Sequence, residues 1–194
     1  MSKLKFAILL FDEVEVLDFA GPFEVFSVTS QLSDYQILEV ITVSKEQKVI
    51  RAKNGLKVVP DISIEALNQV DILLIPGGDG SKAVIQDKDL MAWIGAISQK
   101  AQHVLTVCSG ARILAKLGHL AHQKFTTHHG VFESILSLEP TAIPDHSARF
   151  VDNGKFMTSA GVAAGIDLSL YVVEKYFGEA VRRKTAKYME YGDF

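Results

Sequence analysis

The chain has 194 residues, 48% of them hydrophobic and 22% charged, with a formal net charge of −3. That is apolar material for one sizeable core and too much for a disordered chain. The slight acidity excludes the basic footprint of a nucleic-acid binder.

Cys108 is the single cysteine, which excludes an intramolecular disulfide and points to a reducing, cytoplasmic setting. Two lysines precede the apolar run FAILLF at the start. That run is short for a signal sequence, and acidic residues follow it at once. No run reaches the ~18 apolar residues that span a membrane, so no membrane association is expected.

In chain order, LKFAILLF (4–11) predicts a buried strand. FAGPFEVFSVTS (19–30) has helical spacing, with Pro22 placed near the helix start. YQILEVITVS (35–44) predicts a second strand, and VIRAKNGLKVVPD (49–61) a hairpin around Asn54-Gly55. DILLIPGG (71–78) is an apolar strand ended by glycines, and residues 87–102 read as a helix. HVLTV (103–107) is a strand that runs directly into a helix over 109–118. KFTTHH (124–129) predicts a strand, VFESILSLE (131–139) a helix, and RFVDNGKFMTSA (149–160) a hairpin. A long helix over 161–177 follows, and the tail has room for one more.

Apolar strands alternating with helices predict an α/β domain over residues 1–194, with a mostly parallel sheet covered on both faces. Ligands bind such sheets beyond the carboxyl ends of the strands. That rule selects the turns after LLF, at PGG and at Val107-Cys108-Ser109.

At the third turn, Cys108 lies where a strand meets a helix N-terminus, as in a nucleophile elbow. The helix end favours the thiolate, the reactive form. A lone cysteine is more often a buried, inert residue; the junction raises this one above that reading. At the second turn, Gly77 and Gly78 permit close backbone approach, so an N–H there can face a reacting oxygen. On pattern alone an ordinary tight turn is the favoured explanation.

The first turn carries Glu13, Glu15 and Asp18. Asp18 is flanked by Val16-Leu17 and Phe19-Ala20, which predicts a desolvated carboxyl with a raised pKa. It also has the look of a helix cap. His128 and His129 are adjacent, so on a strand they point to opposite faces and chelate poorly; no metal is expected. His128 is the candidate acid–base group, while His103, His119, His122 and His146 read as loop or element-edge residues. An apolar approach is expected through Val16, Leu17, Phe19 and the Gly161-Val162-Ala163 turn.

Taken in order, LDFAGPFEVF, DILLIPGG, TVCSGARILAKLG, KFTTHH and TSAGVAAGIDLSLYVVE make the chain resemble the ThiJ/PfpI superfamily over essentially its whole length. The resemblance implies a flavodoxin-like three-layer sandwich. It implies Cys108 as nucleophile, Asp18 as its acidic partner, and the N–H groups of Gly78 and Ser109 as an anion-binding pocket. It also implies a homodimer. The style is that of isonitrile hydratases and of the ligand domains of AraC-type regulators, without the latter's DNA-reading portion. Ser109 stands where the peptidase branch has His, and Asp18 where the deglycase-like branch has Glu. The expected activity is cofactor-free hydration of a small isonitrile through a Cys108 thioimidate. The alternatives are a glyoxalase-like enzyme using His128, and a ligand- or redox-sensing domain.

Overall fold

A computed structural model describes residues 3–192. In chain order its strands are β1 (Leu4–Leu9), β2 (Leu38–Ser44), β3 (Ile50–Arg51), β4 (Lys57–Val58), β5 (Ile62–Ser63), β6 (Ile72–Ile75), β7 (His103–Val107), β8 (Lys124–Phe125), β9 (Ile143–Pro144), β10 (Phe150–Asn153) and β11 (Phe156–Ser159). The helices are α1 (Val16–Gln31), α2 (Ser81–Val84), α3 (Lys88–Lys100), α4 (Ala111–Lys116), α5 (Phe132–Leu138), α6 (Ala164–Phe177) and α7 (Glu179–Tyr188).

The central sheet has the order β10-β11-β7-β6-β1-β2-β5, and all its strands but β10 run parallel. Its middle strands are apolar without alternation because both faces are covered: Phe6 to Leu9 and Ile72 to Ile75 are wholly buried. From β1 the chain passes through α1 to β2 in one direction along the sheet. From β6 it passes through α3 to β7 in the other. Right-handed crossovers therefore put α1 and α3 on opposite faces, which makes the flavodoxin-like three-layer sandwich. Helices α6 and α7 pack with α1, and α4 packs with α2 and α5. The direction of travel reverses between β1 and β6, so a crevice opens beyond their carboxyl ends.

Several local expectations need correction. The helix α1 begins at Val16, so Pro22 is internal to it rather than near its start. Proline there leaves the Asp18 carbonyl without its helical partner. The predicted strand KFTTHH stops after Phe125, because Thr126 N–H turns to the Thr158 hydroxyl (3.0 Å) and the loop docks on neighbouring elements. The helix expected over 109–118 is a 3-10 turn, Cys108–Gly110, followed by the short α4. The hairpin arms β3 and β4 are two residues each, outside the main sheet. No helix among the described residues is long and apolar enough to cross a membrane.

Candidate active site

Three turns converge at the carboxyl edge. After β7, Cys108 adopts φ 56°, left-handed backbone that costs a non-glycine residue about 1–2 kcal/mol. Neighbouring loops hold it there. Its N–H donates to Ala160 O (3.2 Å), and its carbonyl accepts from the Thr127 hydroxyl (2.7 Å). The docked TTHH loop is thus a brace for the elbow. Only 7% of Cys108 is exposed.

After β6, Gly77 N–H donates to Asp18 Oδ2 at 2.9 Å. A Cβ on Gly77 would lie 2.5 Å from Ser109 N and 2.8 Å from Asp18 Oδ2. Only glycine lets these turns approach so closely. Gly78 departs from its expected role as an anion donor. Its N–H is already given to Ser109 Oγ (2.9 Å), because φ 112° at Gly78 turns the backbone toward that hydroxyl.

The donors that do face the Cys108 sulfur are the N–H groups of Ser109 and Val162. Val162 was not among the expected site donors. It sits at φ 52°, an outlier for a β-branched residue, and its N–H faces Asp18 as well. Nothing in the propensity of valine signals such a conformation.

Asp18 is fully buried in the first turn of α1. It is not the cap: the N-cap is Glu15, which makes no side-chain cap bond. The carboxyl lies within side-chain hydrogen-bonding range of the Cys108 thiol, although no well-aligned bond closes between them. Its Oδ1 has no hydrogen-bond partner among the described residues.

Burial pushes the Asp18 carboxyl up from 3.8 to about 7, aided by the charge of Glu15 and opposed chiefly by the Gly77 N–H. Burial likewise pushes the Cys108 thiol up to about 12, aided by the charge of Asp18; the Ser109 and Val162 N–H groups offset this only in part. The expectation of a thiol acidified by its helix end alone is therefore reversed, because burial and a neighbouring carboxylate outweigh a 3-10 turn. The two groups titrate as a unit. Above about pH 7 that unit carries one negative charge and one proton.

His128 stands to one side. Its Nδ1 accepts from Gly130 N–H (3.2 Å), and its ring lies 4.1 Å from that of His129. Gly161 is small for its sake, since a Cβ would meet the His128 ring at 2.4 Å. Among the described residues no hydrogen bond joins His128 to Cys108 or Asp18, and no group of three or more His, Cys, Asp or Glu is arranged to hold a metal ion. A cavity of about 270 Å³ beside the elbow is lined by Thr127, His128, His129, His146, Arg149 and Val162 among others. This lining is more polar than the expected approach through Val16, Leu17 and Phe19. The start of α1 turns Phe19 into the core instead. A cavity of about 350 Å³ beyond β1 and β2, around Leu10, Ile50 and Leu90, includes none of these groups.

A strained cysteine on an elbow, coupled to a buried carboxyl at the carboxyl edge of a parallel sheet, defines an α/β protein of the nucleophile-elbow class. The chain belongs to the DJ-1/PfpI family, whose model matches residues 4–175. It is similar to an isonitrile hydratase of Pseudomonas putida, 28% identical over 97% of this chain and 78% of that protein. It is also similar to the HTH-type transcriptional regulator GbdR of Pseudomonas aeruginosa, 23% identical over 88% of this chain but 46% of the regulator. A crystal structure of a ThiJ/PfpI family protein from Pseudomonas syringae superposes with a TM-score of 0.89, at 26% identity, over all of this chain and 77% of that one.

Proposed function

We propose that this chain is a cofactor-independent cysteine enzyme that hydrates a small isonitrile to an N-substituted formamide. The observation that carries the reading is the buried Asp18–Cys108 pair with its unpartnered Asp18 Oδ1. The one proton is shared between two groups that each face two backbone N–H groups: Ser109 and Val162 at the sulfur, Gly77 and Val162 at the carboxyl. A proton on Asp18 gives the carboxyl a donor within side-chain range of the sulfur. The reactive form is the minor arrangement of the one-proton pair, thiolate beside carboxylic acid, since the carboxyl (about 7) ionises before the thiol (about 12). The thiol becomes nucleophilic by handing its proton to Asp18, not by acidity of its own.

In the reaction, the sulfur attacks the terminal isonitrile carbon, forming a C–S bond, and the Asp18 proton moves to that carbon. The product is a neutral thioimidate, with Asp18 now a carboxylate. Water adds to the thioimidate carbon; its hydroxyl stays there and its other proton passes through Asp18 to nitrogen. The C–S bond then breaks, its electron pair returns to sulfur, and the hydroxyl proton returns to Asp18 as the formamide carbonyl forms. The sum is addition of one water. Similarity to the P. putida isonitrile hydratase over nearly the whole chain supports this reading.

Similarity to a transcriptional regulator favours a second reading, a ligand-sensing domain without turnover. The glyoxalase-like alternative needs His128 at the sulfur and gains no support from its geometry. The experiment is product analysis: purified protein with alkyl and aryl isonitriles, without added metal or nucleotide. Formamide that depends on Cys108 supports the enzyme. Saturable isonitrile binding without product supports the sensor. A homodimer, implied by the family resemblance, belongs to the same proposal and is checked by sedimentation.

A further inference from the structure

Arg112 lies one helical turn beyond Cys108, on the face that follows the elbow. It is 5% exposed, which is unusual for a charge. Its guanidinium donates to the Ser81 hydroxyl at 2.5 Å and to the Ser134 hydroxyl at 3.2 Å. Both partners are neutral, and no carboxylate forms an ion pair with Arg112 among the described residues. A buried cation without a counterion is costly, so its retention calls for a compensating charge.

The hydrogen bonds lead toward the elbow. Ser81 Oγ, which accepts from Arg112, donates to Gly78 O at 2.7 Å and lies 3.3 Å from Ser109 Oγ. Ser109 Oγ in turn receives the Gly78 N–H. Arg112 is thereby tied to the two turns that carry the elbow. Burial lowers its own pKa, and the charges that act against this are those of Cys108 first and Asp79 second. Asp79 is already engaged by Lys53 (3.2 Å) and Lys82 (3.6 Å).

We infer that Arg112 is a positioning residue for the nucleophile: its buried charge, held behind the elbow by Ser81, favours the anionic form of the Asp18–Cys108 pair. The argument is reciprocal. If an anion at Cys108 stabilises the guanidinium, the guanidinium stabilises that anion by the same free energy. The inference rests on Cys108 as the reacting group of the proposed function, and is independent of what it reacts with. The other charges that act on the pair are Glu15 ahead of α1, on Asp18, and Lys53 on the hairpin, coupled to Cys108; Asp79 is engaged with Lys53 and Lys82, and His128 is coupled to His129, Glu15 and Lys53. Lys53 is half-exposed and lies against Asp79 with Glu15 near, so it is screened and neutralised where Arg112 is not.

The test is the pH dependence of iodoacetamide alkylation at Cys108, followed by intact mass. Arg112→Met removes charge and donors; Arg112→Gln keeps donors to the serines without the charge; Arg112→Lys keeps the charge. The Met and Gln variants should both move the alkylation midpoint up by roughly one pH unit, whereas Arg112→Lys stays nearer wild type. Turnover by the uncharged variants should be depressed at pH 7 and recover toward wild type as pH rises. A purely structural role would lower activity at all pH values and leave the midpoint in place. An unchanged midpoint in Arg112→Gln, or an equal shift in Arg112→Lys, overturns the inference. Should Arg112→Met not fold, the Gln and Lys pair alone decides. Alkylation needs no isonitrile, so failure of the hydratase reading is seen separately, as absence of formamide from wild type.

Discussion

The two edges of the central sheet handle their carboxyl groups in opposite ways. At the amino edge the half-buried carboxylates are paired. Asp71 accepts from Lys5 N–H (2.8 Å) and from the Gln102 amide (3.0 Å), and Asp152 from the Tyr171 hydroxyl (2.7 Å) and Lys175 (3.0 Å). His103 Nδ1 meets the Tyr176 hydroxyl at 2.5 Å. At the carboxyl edge, Asp18 keeps an unpartnered oxygen, Arg112 has no carboxylate, and Cys108 holds a strained backbone. Burial pushes both Asp152 and Asp18 up. At Asp152, Tyr171, Lys175 and the Gly154 N–H outweigh it and hold the carboxyl below its usual range. At Asp18 the Gly77 and Val162 N–H groups cannot, and the carboxyl ends near 7. On the proposed function, the satisfied edge supports the fold and the unsatisfied edge serves proton transfer.

The contrast breaks most sharply at Cys108. Cys108→Ala should lose formamide production by roughly a thousandfold or more, since no other thiol exists to replace it. Measured by product chromatography, a rate equal to wild type removes the nucleophile from the account.

Asp18→Asn comes next, with opposite effects on activity and stability. Activity should fall roughly a hundredfold, because an amide cannot carry the proton. Stability follows the sign of the shift. The folded carboxyl titrates near 7 and the unfolded one near 3.8, so between those values the folded state holds the extra proton. Wild-type stability is therefore intact below about pH 4 and declines as pH rises to about 7. Asn removes that decline. Urea titrations should show the variant gaining on wild type by a few kcal/mol from pH 4 to pH 7; parallel profiles would contradict a raised Asp18.

At the other edge, Asp152→Asn should cost about 1 kcal/mol at neutral pH. Its sign is reversed. The depressed Asp152 adds stability above the unfolded carboxylate range, and this is lost as pH falls through the folded value. Activity should stay within about twofold, since no group of the pair depends on it. The smallest effect is expected at Val162→Gly. Glycine accepts φ 52° without strain and keeps the N–H, so turnover within about threefold of wild type is expected. A large loss would mean that the valine side chain, not its backbone, serves the site.

The layered fold was legible because LKFAILLF and DILLIPGG are apolar without alternation, as strands covered on both faces must be. The elbow was legible because V-C-S-G joins a strand to a helical pattern, and Asp18 because a carboxyl among Val16, Leu17 and Phe19 loses its water. Other features depended on tertiary contact. TTHH reads as strand, but its threonines find partners across the chain in Thr158 and the Cys108 carbonyl. Gly78 carries the expected glycine, yet which group takes its N–H depends on where Ser109 arrives. Val162 gave no local sign of left-handed backbone. Arg112 did leave one: a single charge inside S-G-A-R-I-L-A, one turn beyond the cysteine.

The central claim is that Cys108 becomes a nucleophile by passing its proton to Asp18. The most direct measurement is the alkylation rate of Cys108 against pH in wild type and in Asp18→Asn. The account predicts a wild-type midpoint near the pair's first ionisation, about 7, and an Asp18→Asn midpoint above the ordinary thiol value of about 8.5, because burial remains and the proton acceptor is gone. Coincident midpoints in the two proteins would contradict it.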